Sequence, residues 1–157
     1  MPTYAAKTTV GWQTTRNEIE RTLTRYGATQ FMTGWSDGGA MVAFSAQGRQ
    51  FRFILPLPDR RGRQFTHTPE RGIERSATEA ERAYDQAVRQ RWRALALIIK
   101  AKLEAVEAGV STFESEFLAH TILPSGRTVA EETLPNIALM YEGGTMRPLL
   151  EITGGAS

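Results

Sequence analysis

The chain has 157 residues, 41% of them hydrophobic and 23% charged, with a formal net charge of +2 and no cysteine. That length suits one domain able to bury on the order of two thirds of its unfolded surface, and the lack of cysteine excludes a disulfide framework, thiol catalysis and cysteine-ligated metal. The opening MPTYAAKTTVGW has no apolar core of a secretory signal, and the longest apolar run, 94–99, falls far short of the ~20 residues needed to span a bilayer. The expectation is a soluble, cytoplasmic protein with no membrane partner.

Residues 1–13 read as a flexible N-terminal arm, 14–150 as a single α+β domain and 151–157 as a tail. Thr15 with Glu18 has the form of a capping box, and Ile19, Leu23 and Tyr26 recur at four and three. These spacings predict a short amphipathic helix over 16–26, closed by Gly27 and exposing Arg16, Glu20, Arg21 and Arg25. Three strands follow. Residues 30–35 alternate Phe31, Thr33 and Trp35 on one side, and Asp37-Gly38-Gly39 supplies a hairpin turn into 40–46. Gln47-Gly48 turns the chain into 49–57. There Phe51, Phe53, Leu55 and Leu57 take the core side, and Gln50 and Arg52 the other.

Residues 58–75 carry Gly, Pro and Arg without periodicity and read as a mobile basic loop, with Phe65 and Ile73 its only bulky apolar residues. Ser76 with Glu79 opens the dominant element, a helix over 77–108. Its apolar face comprises Tyr84, Val88, Trp92, Leu95, Ile99, Leu103 and Val106, and Gly109 stops it. A helix of that length runs to ~48 Å and must project, kink or meet a partner. A short helix begins at Ser111 and Glu114, a turn falls at Pro124-Ser125-Gly126, and a last short helix covers 135–141. The expected architecture is α+β: a three-stranded antiparallel meander packed against a short N-terminal helix and a long central helix, with short C-terminal helices. Phe31, Trp35, Phe44, Phe51, Phe53, Leu55, Trp92, Leu95, Ile99 and Leu103 form most of the expected core.

The small net charge conceals a strong asymmetry. Eleven of the sixteen arginines lie between Arg49 and Arg93 against six acids, a formal +5, whereas residues 94–157 carry four bases and eight acids, a formal −4. On the long helix Arg82, Arg89, Arg93 and Lys100 are spaced 7, 4 and 7, which keeps them within about 20° of one azimuth. The plain alternative for this stripe is a solvated face partly neutralised by Asp85. With Arg60, Arg61, Arg63, Arg71 and Arg75 of the preceding loop it makes one expected anion-binding surface. Phe65 and His67 are the candidate base-stacking groups in that loop, with Trp35 a third if the hairpin edge is exposed. For Phe65 the competing role is an anchor tucked into the core, and Trp92 is assigned to the core.

Enzymatic chemistry finds no foothold. The two histidines, His67 and His120, have no partner at metal-ligand spacing, and Glu114/Glu116 and Glu131/Glu132 point apart. No phosphate-cradling glycine loop or nucleophile elbow is present, so no catalytic residue, metal or cofactor is expected.

Two stretches, RQRWRALALIIKAKLEAVEAG and FLAHTILPSGRTV within Arg89–Leu150, resemble small uncharacterised proteins encoded by phages and prophages of high-GC bacteria. The helix–strand–strand–strand–long helix order over residues 15–108 is similar to the core of single-strand annealing proteins. That resemblance implies rings or filaments that lay nucleic acid in a basic groove beside the sheet. The reading is a non-enzymatic nucleic-acid-binding protein, single-stranded DNA favoured, acting as a homo-oligomer in phage recombination. The alternative is a protein-interaction module, an inhibitor or assembly factor, that oligomerises or binds a host protein through its long helix, the acidic C-terminal part docking on the basic segment of a neighbouring copy.

Overall fold

The computed structural model describes residues 3–36 and 38–145, with side chains from Gly11 onward. Its elements are α1 (Thr3–Arg25), β1 (Gln30–Ser36), β2 (Gly39–Ala46), β3 (Arg49–Pro56), α2 (Arg63–Thr66), α3 (Ala77–Glu107) and α4 (Phe113–Glu116). A 3-10 turn (Leu118–His120) and α5 (Val129–Gly143) complete the chain. The architecture is the α+β arrangement expected: an antiparallel sheet in the order β1-β2-β3, an N-terminal helix, a long central helix and short C-terminal helices.

Turn chemistry sets the register of the sheet. Gln47 (φ 52°) and Gly48 (φ 73°) both take positive φ between the paired Ala46 and Arg49, the arrangement whose twist suits a two-residue hairpin. In the first hairpin Gly38 has φ 84° and Ser36 pairs with Gly39, while Asp37 lies outside the described residues. Gly39 serves a different need: a Cβ there would stand 2.9 Å from the Leu55 carbonyl oxygen. Alternation then sends Val42, Phe44, Phe51, Phe53 and Leu55 into the core and leaves Arg52 and Ile54 on the opposite face.

The first helix is far longer than expected. The segment read as an arm is helical from Thr3, and Thr15, read as a cap, is buried in mid-helix. Threonine and glycine are weak helix formers, so local propensity ends the helix too early, and tertiary packing overrides it. Trp12 stacks on Trp92 at 5.2 Å, and Gly11 lies where a Cβ would stand 2.6 Å from Cδ of Arg89. Tyr26, just past the other end of α1, donates its hydroxyl hydrogen to Glu107 near the end of α3. Residue numbers thus rise together along both helices, and α1 and α3 run parallel.

The α3 helix opens with Ser76 Oγ accepting from the Glu79 amide at 3.2 Å, and it closes at Gly109 with φ 75°. Its apolar face buries Val88, Trp92, Leu95, Ile99 and Leu103 against α1 and the sheet. Beyond it Phe113 and Phe117 turn back onto Phe44, Phe51 and Phe53, their rings 4.5–6.0 Å apart. The Lys102 ammonium holds that turn by donating to the Glu116 carbonyl at 2.9 Å. Two expected core residues are less buried than the rest, though Phe31 still packs against the cluster. Phe31, on edge strand β1, is half-buried beneath the Arg16 guanidinium at 5.0 Å, and Trp35 is 53% exposed.

Residues 58–75, read as an aperiodic loop, are built. The helical turn α2 buries Phe65 against Tyr84, and a bridge joins His67 to Glu74. Arg75 adds a backbone bond to the Thr66 carbonyl at 2.7 Å. The last helix also begins earlier than expected, at Val129 rather than Pro135. Thr128 and Glu131 form a reciprocal capping box. Pro135 has no N–H for the Glu131 carbonyl four residues back, and Arg127 Nη2 donates to that oxygen instead, at 2.9 Å. The tail expected at 151–157 lies outside the described residues.

Candidate functional site

Parallel packing of α1 on α3 leaves a groove of about 650 Å³ along their outer side. Its floor is apolar, formed by Ile19, Ala96, Ile99 and Leu103, and its walls carry Arg21 and Arg25 from α1 with Arg93 and Lys100 from α3. Arg89 continues the line towards the Trp12 end, its side chain lying against Gly11. From Arg89 to the level of Arg25 the cations extend over ~22 Å at 1.5 Å per residue.

Three carboxylates share the groove: Glu18, Glu104 and Glu107. Glu104 lies 4.0 Å from Lys100, an exposed contact of little energetic weight, and Glu107 accepts from Tyr26. The Tyr26 hydroxyl is pushed above its usual range, first by that bond and then by burial. Arg21, Arg25 and Arg93 have no carboxylate within ion-pair distance among the described residues. A guanidinium is an always-charged fork of donors suited to phosphate and carboxylate oxygens.

The surface expected from residues 60–100 is divided. Arg60 pairs with Glu81 and lies 4.3 Å over the Tyr84 ring, with Glu81 keeping its guanidinium protonated above the usual range. Arg75 Nη1 reaches the carbonyls of Gln64 and Phe65 at 3.4 and 3.3 Å, so Arg75 braces α2 while Arg60 ties the preceding turn to α3. Arg61, Arg63 and Arg71 are exposed, but Asp59, Glu70 and Glu74 lie in the same segment. This segment meets α3 at Glu81 and Tyr84, about 100° and 160° around the helix from Arg82, so the segment and the stripe lie on different sides of α3. Arg82, Arg89, Arg93 and Lys100 do remain on the exposed side of α3, while Asp85 turns inward and is buried.

The stacking groups also change. Phe65 is buried at 5% exposure, so it anchors α2 and is closed to a base. His67 is partly buried, with Nδ1 2.8 Å from Thr66 Oγ1. Trp35 stands edge-on to Trp12 at 4.8 Å and keeps an open side near the Arg89 end of the groove. Arg21 and Arg25 were legible only as exposed residues of the first helix. Their i,i+4 spacing gains meaning once α1 is known to lie parallel to α3.

The second histidine, His120, stacks on Phe53 at 3.8 Å, and burial, then Lys102, hold its imidazole below the ordinary 6.5. Among the described residues no three His, Asp or Glu side chains converge as a metal site would require. No family model, no curated protein and no solved structure matches the chain. Fold and site define a class, an α+β protein with a basic groove between parallel helices.

Proposed function

We propose that the chain is a non-enzymatic nucleic-acid-binding protein that takes single-stranded DNA along the α1–α3 groove. The role implied by the likeness of its element order to single-strand annealing proteins is DNA handling during recombination. The observation that supports this most is the meeting of Arg21, Arg25, Arg93 and Lys100 from two helices along one groove, with three guanidiniums unpaired among the described residues. A line of cations holds a strand by its phosphates with little sequence preference, and the exposed side of Trp35 offers a stacking platform at one end.

Titration of a fluorescent oligonucleotide at two salt concentrations tests the reading. With five contacts to a single strand, affinity falls about 100-fold between 50 and 200 mM salt. Arg21→Gln, Arg25→Gln and Arg93→Gln each flatten the slope of log affinity on log salt by about 0.7, whereas Arg60→Gln leaves it unchanged. No binding to single- or double-stranded oligonucleotides at low salt overturns it.

A protein-interaction role is the second reading, and α5 favours it. Leu134, Ile137, Leu139, Met140 and Tyr141 are all exposed on one 15-residue helix. Five large apolar side chains exposed on one short helix make the kind of patch that marks an interaction surface.

A further inference from the structure

We infer that α5 docks in the α1–α3 groove of a second copy of the chain, so that self-association and polyanion binding compete for one site. The inference rests on the groove proposed above as the nucleic-acid site and adds its regulation.

Shape, charge and reach each support the pairing. Leu134, Ile137 and Tyr141 are spaced three and four, a stripe on one face of α5, and helices pack by setting such a ridge between two others. The groove offers an apolar floor of Ile19, Ala96, Ile99 and Leu103, with Leu97 62% exposed at its rim. Along α3 it extends from Arg93 to Glu107, and α5 from Val129 to Gly143, each 15 residues and therefore ~22 Å. The α5 helix carries Glu131, Glu132 and Glu142 and no base. Arg52 and Arg127 meet the first two, while Glu142 beside Tyr141 has no cation within ion-pair distance among the described residues. The unpaired arginines of the groove are the complement.

A chain cannot fill its own groove this way. Arg52 Nη2 bonds Glu131 at 3.1 Å and so ties the start of α5 to the sheet face opposite Phe51 and Phe53. Helices α1 and α3 cover the other face, and the groove is lined by residues of those helices and Tyr26, with none from the sheet. The occupant is therefore a neighbour's α5.

The absence of cysteine makes a clean test. Chains carrying Leu97→Cys and chains carrying Ile137→Cys are mixed and treated with a short bismaleimide. The expected result is a 97–137 cross-link in excess of random pairing, lost when Leu134→Glu is added to the second chain and suppressed by an unlabelled thymidine 30-mer. Predominance of 137–137 product, or no excess of the mixed product, overturns the docking. Oligonucleotide binding in that case leaves the nucleic-acid reading standing. A mixed product that the 30-mer neither binds nor suppresses keeps the docking and overturns the nucleic-acid reading along with the competition.

Discussion

Trp92 concentrates the stability of the molecule in one side chain. It is fully buried, in ring contact with both other tryptophans, Trp12 at 5.2 Å and Trp35 at 6.1 Å, and its Nε1 has no hydrogen-bond partner among the described residues. Trp92→Ala leaves a large cavity and lowers stability by about 3–5 kcal/mol in urea denaturation. Trp92→Phe is milder, because it retains most of the ring contact and removes a donor that has no described acceptor. Its place in the core was readable from its position on the apolar stripe of the long helix. Trp35 was not, because alternation reports which face of a strand a residue takes but not that β1 is an edge strand where the core thins out. His120 shows another residue-level effect. Its depressed pKa means the unfolded chain binds the proton first, so the stability it contributes is complete above pH 6.5 and declines as pH falls below that value. Thermal melts at pH 8 and pH 5 should show a loss at pH 5 that is smaller in His120→Gln than in the parent chain.

At the level of elements, the three strands and α3 were legible because their signals are long and periodic. Alternation runs through all of β3, and the three-four spacing runs through more than twenty residues of α3. Short elements were less so. Thr15-Glu18 and Thr128-Glu131 have the same pattern, yet only the second is a cap, because Trp12 and Gly11 fix the first within a helix packed on α3. Similarly, α2 is one turn held by Phe65 against Tyr84 and by the Arg75 contacts, none of which has a periodicity to read. The cap of α5 has a measurable role. Thr128→Ala removes a bond to the Glu131 amide at 3.2 Å and costs α5 about 1 kcal/mol. Hydrogen exchange should therefore quicken in the α5 amides, while the global melt changes little, since α5 buries no side chain in the core.

Across the whole molecule, the charge asymmetry read from composition takes a spatial form that counting alone did not specify. Of the arginines of 58–75, Arg60 and Arg75 serve the fold, and the cations that line the groove come from α1 and α3, helices separated in sequence by the entire sheet. An odd number of strands returns the chain to the end at which α1 began, which is why the two helices run parallel. One consequence concerns time as well as space. The Tyr26–Glu107 contact closes a separation of 81 residues, and contacts so distant in sequence form slowly and late. Neither wall of the groove is a groove by itself, so a nascent or partly folded chain displays arginines but no site. Occupancy of the groove would then report completed folding, and a bound strand would raise the unfolding free energy of the whole domain by RT ln(1 + [L]/Kd), about 2.7 kcal/mol at a hundredfold excess over Kd.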